Sequence, residues 1–165
     1  MANELIRGVV HKFGDNINTD DINPAQYMEL NIEEMSRHAM EGADPNFSAK
    51  VNPGDIIVAG KNFGSGSSRE TAPMVIAKCG ISVVIAEFFA RIFYRNAINI
   101  GLKVLICEEA WKIKDGDELE VNPSTGTIND MTTGKEYLCS KLPDHILQLV
   151  NDGGLISHLE KLLKK

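Results

Sequence analysis

Apolar residues fall in short blocks, and their period changes along the chain. Leu5 to Phe13 alternates Ile6, Gly8 and Val10 against Arg7, Val9 and His11. That is the two-residue period of a strand, and it puts His11 on the strand's surface. Met1–Glu4 leads straight into this segment. Three later blocks, Asp55–Ala59, Ile81–Ala86 and Leu102–Cys107, are nearly continuous apolar runs, as in strands covered on both faces. Between them, Thr71–Lys78 carries Met74, Val75, Ile76 and Ala77, and Phe88–Asn99 sets Phe89, Ile92, Phe93 and Ala97 on one helical face, with Gly101 past its end. Strand–helix–strand–helix–strand predicts parallel strands joined by crossovers.

The connecting and C-terminal segments read differently. Residues 14–24 are polar and turn-rich up to Pro24; there Asp20 and Asp21 either orient a charged partner or form an Asx-type turn. Asn31 as N-cap, Glu34 at the capping-box position and Gly42 past the end predict a helix with Ile32, Met35 and Ala39 on one face. Residues 43–53 read as a loop. Asp117–Val121, Thr125–Asn129 and Glu136–Cys139 predict an antiparallel hairpin or meander. Pro143–Val150 and Leu155–Leu163 are expected helices separated by Gly153-Gly154.

Composition narrows the classes. The 165 residues suit one domain, 1–165, with 43% hydrophobic and 24% charged residues, an ordinary globular balance. A net charge of −6 argues against a nucleic-acid surface, which needs a basic stripe; Lys161, Lys164 and Lys165 read as a solvated helix end. There is no signal peptide and no apolar run of membrane-spanning length. The three cysteines, Cys79, Cys107 and Cys139, lack a C-x-x-C spacing. They suit a reducing cytoplasm and packing as small apolar residues rather than a cluster of their own. The four histidines form no metal-ligand pattern.

Chemistry concentrates in Gly60-Lys61-Asn62-Phe63-Gly64-Ser65-Gly66-Ser67-Ser68-Arg69-Glu70, a loop leaving a strand and entering a helix. Its glycines permit close backbone approach, and a helix start with Arg69 beside it favours an anion. The alternative is that Ser67 or Ser68 merely caps the helix. No Lys follows the last glycine, so this is not a P-loop. Against G-x-G-x-x-G, Arg69 replaces the third glycine, although Glu87 stands near the spacing of a ribose-binding acid. A dinucleotide-binding module is therefore the competing class. Gly66-Ser67-Ser68 is not G-x-S-x-G, and no histidine is placed as a base for a serine nucleophile.

The loop, with Ala72-Pro73 after it, closely resembles the active-site loop of the aconitase superfamily swivelling domain. Phe89-Ala90-Arg91-Ile92-Phe93-Tyr94-Arg95-Asn96-Ala97-Ile98-Asn99-Ile100-Gly101-Leu102 resembles that family's second signature, and Asn18-Thr19-Asp20-Asp21-Ile22 its N-terminal motif. The length is similar to the free-standing small subunits of the isopropylmalate isomerase and homoaconitase group. One departure is Thr71, where many relatives carry His; it adjoins the site, and activity is expected to be retained.

The resemblance implies an α/β fold: a swivelling β/β/α domain, a mixed sheet with a parallel βαβ core and flanking helices. It implies a cytoplasmic hydro-lyase subunit, active only with a large subunit that holds a [4Fe–4S] cluster, interconverting 2- and 3-isopropylmalate by dehydration and rehydration in leucine biosynthesis. This chain itself would hold no cofactor or metal. Ser67 is implied as the base at the substrate carbon. Arg69 would stabilise the serine oxyanion and hold a carboxylate, Ser68 would hydrogen-bond a carboxylate, and Asp20 would orient polar partners. Arg91 is expected to be structural, facing an interface. Homoaconitase-like relatives place an Arg in the loop beginning at Tyr27. Here Met28 and Leu30 suit an alkyl group, and Glu29 would repel a third carboxylate. Isopropylmalate is favoured, then citramalate or dimethylmalate, then homoaconitate.

Overall fold

The computed structural model describes residues 5–164; the Met1–Glu4 lead-in and Lys165 lie outside them. Four strands run parallel: β1 (Ile6–Lys12), β2 (Ile56–Ala59), β3 (Val83–Ala86) and β4 (Lys103–Ile106). β2 and β3 are buried at every residue, which is why they read as unbroken apolar runs. The other edge of β1 pairs antiparallel with β5 (Glu118–Asn122), followed by β6 (Thr127–Asp130) and β7 (Lys135–Leu138). The expected parallel unit and meander are thus two halves of one seven-stranded mixed sheet, ordered β4-β3-β2-β1-β5-β6-β7.

Seven helices flank the described sheet: α1 (Thr19–Ile22), α2 (Ile32–Ser36), α3 (Phe47–Lys50), α4 (Thr71–Lys78), α5 (Arg91–Ile100), α6 (Asp144–Asn151) and α7 (Leu155–Leu163). α2 packs on α4, α4 on α5, and α5 on α6 and α7. α5 ends at Gly101, whose φ of +89° turns the chain out of the helix.

Several local expectations change. The polar stretch before Pro24 contains α1, closed by a capping box between Asn18 and Asp21. The helix from Asn31 stops at Ser36. Asn31 caps it by accepting from the Glu34 amide at 2.9 Å, but beyond Ser36 the backbone pairs elsewhere: Met40 and Gly42 donate to the carbonyls of Ile22 and Asp21. Arg37, His38 and Ala39 bond to the third residue back, so turns and these two tertiary bonds take the place of a helix. The expected loop at 43–53 includes α3, formed where Phe47 is fully buried. His11 is not a strand-surface residue. It is half-buried, its Nε2 lies 2.7 Å from Asp55 Oδ2, and Phe47 packs edge-on against its ring. Residues 88–90 are extended rather than helical, so α5 starts at Arg91 and turns Ile92 to solvent, 44% exposed.

Candidate active site

The Gly60–Glu70 loop is stitched to the rest of the chain on both sides. Gly64 N donates to Ile17 O and Thr19 N to Ser65 O, each at 2.7 Å, in a parallel bridge between Asn18 and Ser65. On the other side Phe63 N donates to Phe88 O, and Ala90 N to Phe63 O. The three sequence motifs, far apart in the chain, therefore meet at one loop. Two glycines make this possible. Gly64 (φ +86°) lies against Phe93, where a Cβ would come within 2.2 Å of the ring, and Gly66 (φ +104°) lies against Thr19 Oγ1.

α4 begins with Glu70 at its N-cap position and no side-chain cap, so neither Ser67 nor Ser68 caps it. A tight turn leads in instead, with Arg69 N donating to Ser67 O and Ala72 N to Arg69 O. Ser67 and Ser68 are both exposed. Ser67 Oγ lies 3.2 Å from Thr19 Oγ1. Ser68 has no hydrogen-bond partner among the described residues, and neither histidine nor carboxylate hydrogen-bonds Ser67 there.

Arg69 is fixed from the N-terminal motif. Its Nη1 donates to Asp20 Oδ1 at 3.1 Å and to Asn23 O at 2.9 Å. The Ala25 amide, and then the Arg69 guanidinium, hold the Asp20 carboxyl below the usual aspartate range. Asp20 and Asp21 have separate jobs: the first pairs with Arg69, the second closes the α1 cap. Beyond Pro24, Met28 is 39% exposed and its sulfur receives Asn23 Nδ2 at 3.3 Å. Leu30 packs partly onto the core, and Glu29 is exposed. Arg91 is exposed and makes no hydrogen bond or ion pair among the described residues, so the structure shows it holding nothing within this chain.

Two residues at the site gave no separate signal in the sequence. Thr19 sits inside the N-terminal motif but reads only as a polar residue of a turn-rich stretch; only the fold brings its hydroxyl to Ser67. Asn23 precedes a proline and reads as a turn residue, yet it is 1% exposed and touches Arg69, Met28 and Thr71.

No set of three or more His, Cys, Asp or Glu among the described residues can hold a metal ion. The three cysteines are free thiols; Cys107 is buried, and burial pushes Cys79 up to about 11 and Cys139 up to about 12.

The family model of the aconitase C-terminal domain matches residues 3–109. The 3-isopropylmalate dehydratase small subunit 1 of Thermotoga maritima is 50% identical over 95% of this chain and 96% of its own. The isopropylmalate/citramalate isomerase small subunit of Methanocaldococcus jannaschii is 53% identical over 95% of each. A crystal structure of 3-isopropylmalate dehydratase (LeuD) from Methanocaldococcus jannaschii superposes with a TM-score of 0.93 at 44% identity, covering 98% of this chain and 96% of that one.

Proposed function

The chain belongs to the aconitase C-terminal domain family, and from that premise we propose that it is the small subunit of a hydro-lyase interconverting 2- and 3-isopropylmalate. The observation that carries this is the convergence of the N-terminal motif, the glycine loop and the α5 signature at an exposed serine beside an anchored arginine. The large subunit is the partner that completes the site. When bound there, its iron–sulfur cluster supplies the Lewis acid for the departing hydroxyl.

This chain's residues account for the other half of the reaction. Dehydration removes a proton from one substrate carbon and hydroxide from its neighbour; rehydration returns them with positions exchanged. Ser67 Oγ takes and returns the proton. A serine hydroxyl is a weak base, so its oxyanion has to be stabilised. Thr19 Oγ1 is in place to donate to it, and the start of α4 adds positive potential. Arg69 takes a substrate carboxylate through the donors that Asp20 and Asn23 leave free. Ser68, with no partner in the described chain, is available to the same carboxylate.

Met28 and Leu30 favour an alkyl substituent, with methyl-substituted malates as the nearest competitors. The three free cysteines fit the reducing cytoplasm as the setting; no helix among the described residues is long and apolar enough to cross a membrane.

The test is reconstitution. Mixed with the large subunit, this chain gives 3-isopropylmalate dehydration, followed by the ultraviolet absorbance of the alkene; neither subunit alone does. Ser67→Ala lowers kcat roughly 10²–10⁴-fold while leaving the melting temperature unchanged. Full turnover in that variant removes Ser67 from the base role. Tight binding of NAD, NADP or FAD by the isolated chain would instead favour the dinucleotide reading left open by Glu87.

A further inference from the structure

We infer that Asn23 is a positioning residue for substrate discrimination, coupling the Met28 loop to Arg69. The inference rests on the hydro-lyase reading above and adds to it the means by which this chain fixes its alkyl-facing wall. Asn23 is 1% exposed. Its backbone carbonyl accepts from Arg69 Nη1 at 2.9 Å. Its side-chain Nδ2 lies 2.7 Å from Thr71 Oγ1, 3.3 Å from Met28 Sδ and 3.6 Å from Met35 Sδ. Thr71 Oγ1 also approaches Met28 Sδ at 3.8 Å. One residue thus touches the carboxylate-binding arginine, the loop that faces the alkyl group, and the first residue of α4.

The two methionine sulfurs orient the amide. Thioethers only accept, so the NH₂ group faces them and the carbonyl turns away. That carbonyl, Asn23 Oδ1, is buried with no hydrogen-bond partner among the described residues. An orphaned buried acceptor opposes stability, and an apolar side chain of similar size would avoid it. Asn23 is therefore poorly chosen for packing, whereas its polar donor is well placed to hold Met28.

The loop is also held from its other side. Tyr27 stacks on His38 at 3.7 Å and donates its hydroxyl to Glu41, which also pairs with His38 Nδ1 at 2.7 Å. With Tyr27 clamped, Met28 still needs its own restraint. Asn23 and Thr71 supply it, at a fixed offset from Arg69. A substrate anchored by its carboxylate on Arg69 then meets a wall whose distance is set. Discrimination between alkyl groups differing by one or two carbons depends on such a distance, and is worth only about 10–200-fold per methylene.

The test uses the reconstituted two-subunit enzyme and the ratio of kcat/KM for 3-isopropylmalate to that for citramalate. Asn23→Leu is expected to lower this ratio at least about tenfold, through KM with kcat largely kept, while the melting temperature of the subunit stays equal or rises. Thr71→Val, at a half-buried position that does not threaten folding, is expected to lower the ratio in the same direction, and Thr71→Ser to restore it. A structural role alone gives the opposite result, a lowered melting temperature with the ratio intact. That outcome, or an unchanged ratio in Thr71→Val, overturns the assignment. A wild-type mixture without dehydratase activity rejects the functional reading instead, so the two failures are separable.

Discussion

At the scale of single residues, the proposed carboxylate site depends on Arg69, which Asp20 and Asn23 O hold in place. A guanidinium has five donors in a planar fork, and here one nitrogen serves both Asp20 and Asn23 O. In the proposed role the remaining donors would present a fixed plane to a carboxylate. Lysine at this position keeps the charge but cannot satisfy two protein acceptors and a bidentate carboxylate from one plane. Arg69→Lys is therefore expected to raise KM about 10- to 100-fold, the equivalent of losing one or two charged hydrogen bonds, with a smaller effect on kcat. Steady-state kinetics of the reconstituted enzyme decide it; a KM within twofold of wild type counts against a bidentate role. The sequence made Ser67, Ser68 and Arg69 conspicuous because a glycine loop entering a helix is a recognisable anion-binding arrangement. It left Thr19 and Asn23 indistinct, because their roles depend on contacts 48 and 46 residues away along the chain. Of the two aspartates, Asp21 closes the α1 capping box in place of an Asx turn, and Asp20 pairs with Arg69.

At the scale of elements, the loop's shape depends on its seam with α5. Gly64 has both a left-handed backbone and no room for a methyl group, since a Cβ there would lie 2.2 Å from Phe93 Cγ. Phe93 cannot easily yield: it is 3% exposed and packed edge-on to Phe63 at 5.2 Å. Gly134 offers a control, with a similar φ of +76° and open space around its would-be Cβ. Gly64→Ala is expected to destabilise by roughly 2–4 kcal/mol, combining overpacking with backbone strain, and Gly134→Ala by only about 1 kcal/mol. Urea denaturation distinguishes them, and equal losses would show that the seam is not tight. The elements that sequence reading located well, β2, β3, α4 and α7, are those whose apolar period agrees with their burial or whose ends carry glycine. The ones it misplaced were settled by tertiary pairing. The helix after Asn31 is cut short because Met40 and Gly42 find acceptors on the last two residues of α1, and α3 exists because Phe47 has a pocket against His11 and Phe13.

At the scale of the molecule, β1 is the strand that makes one sheet of two halves, parallel on one edge and antiparallel on the other. The periodicity located both halves, but not their union, because a pairing edge leaves no mark in a strand's own sequence. The antiparallel half contains a buried pair of acids beside this junction. Asp117 lies at the entry to β5, where its carbonyl accepts from Val10 N of β1 at 2.9 Å. Asp130, 1% exposed at the end of β6, uses Oδ1 to accept from the Thr132 and Thr133 amides. Its Oδ2 has no donor among the described residues, and the neighbouring Asp117 carboxyl, a second acceptor, interacts with the same side chain. A proton between the two makes that contact attractive. Burial, and then the Asp117 carboxyl, accordingly raise the Asp130 pKa above the usual aspartate value. The direction fixes the pH dependence. Between the ordinary value and the raised folded one, the folded protein keeps a proton that the unfolded chain has released, so this contribution is present at low pH and is lost as pH rises through the folded value. Asp130→Asn retains an oxygen for the two threonine amides and gives Asp117 a permanent N–H donor. The variant is expected to be more stable than wild type at neutral pH, and its urea midpoint should lack the wild-type decline on raising pH out of the carboxylate range. Parallel midpoint curves for the two proteins would mean that Asp130 is ionised in the fold and that another group satisfies its second oxygen.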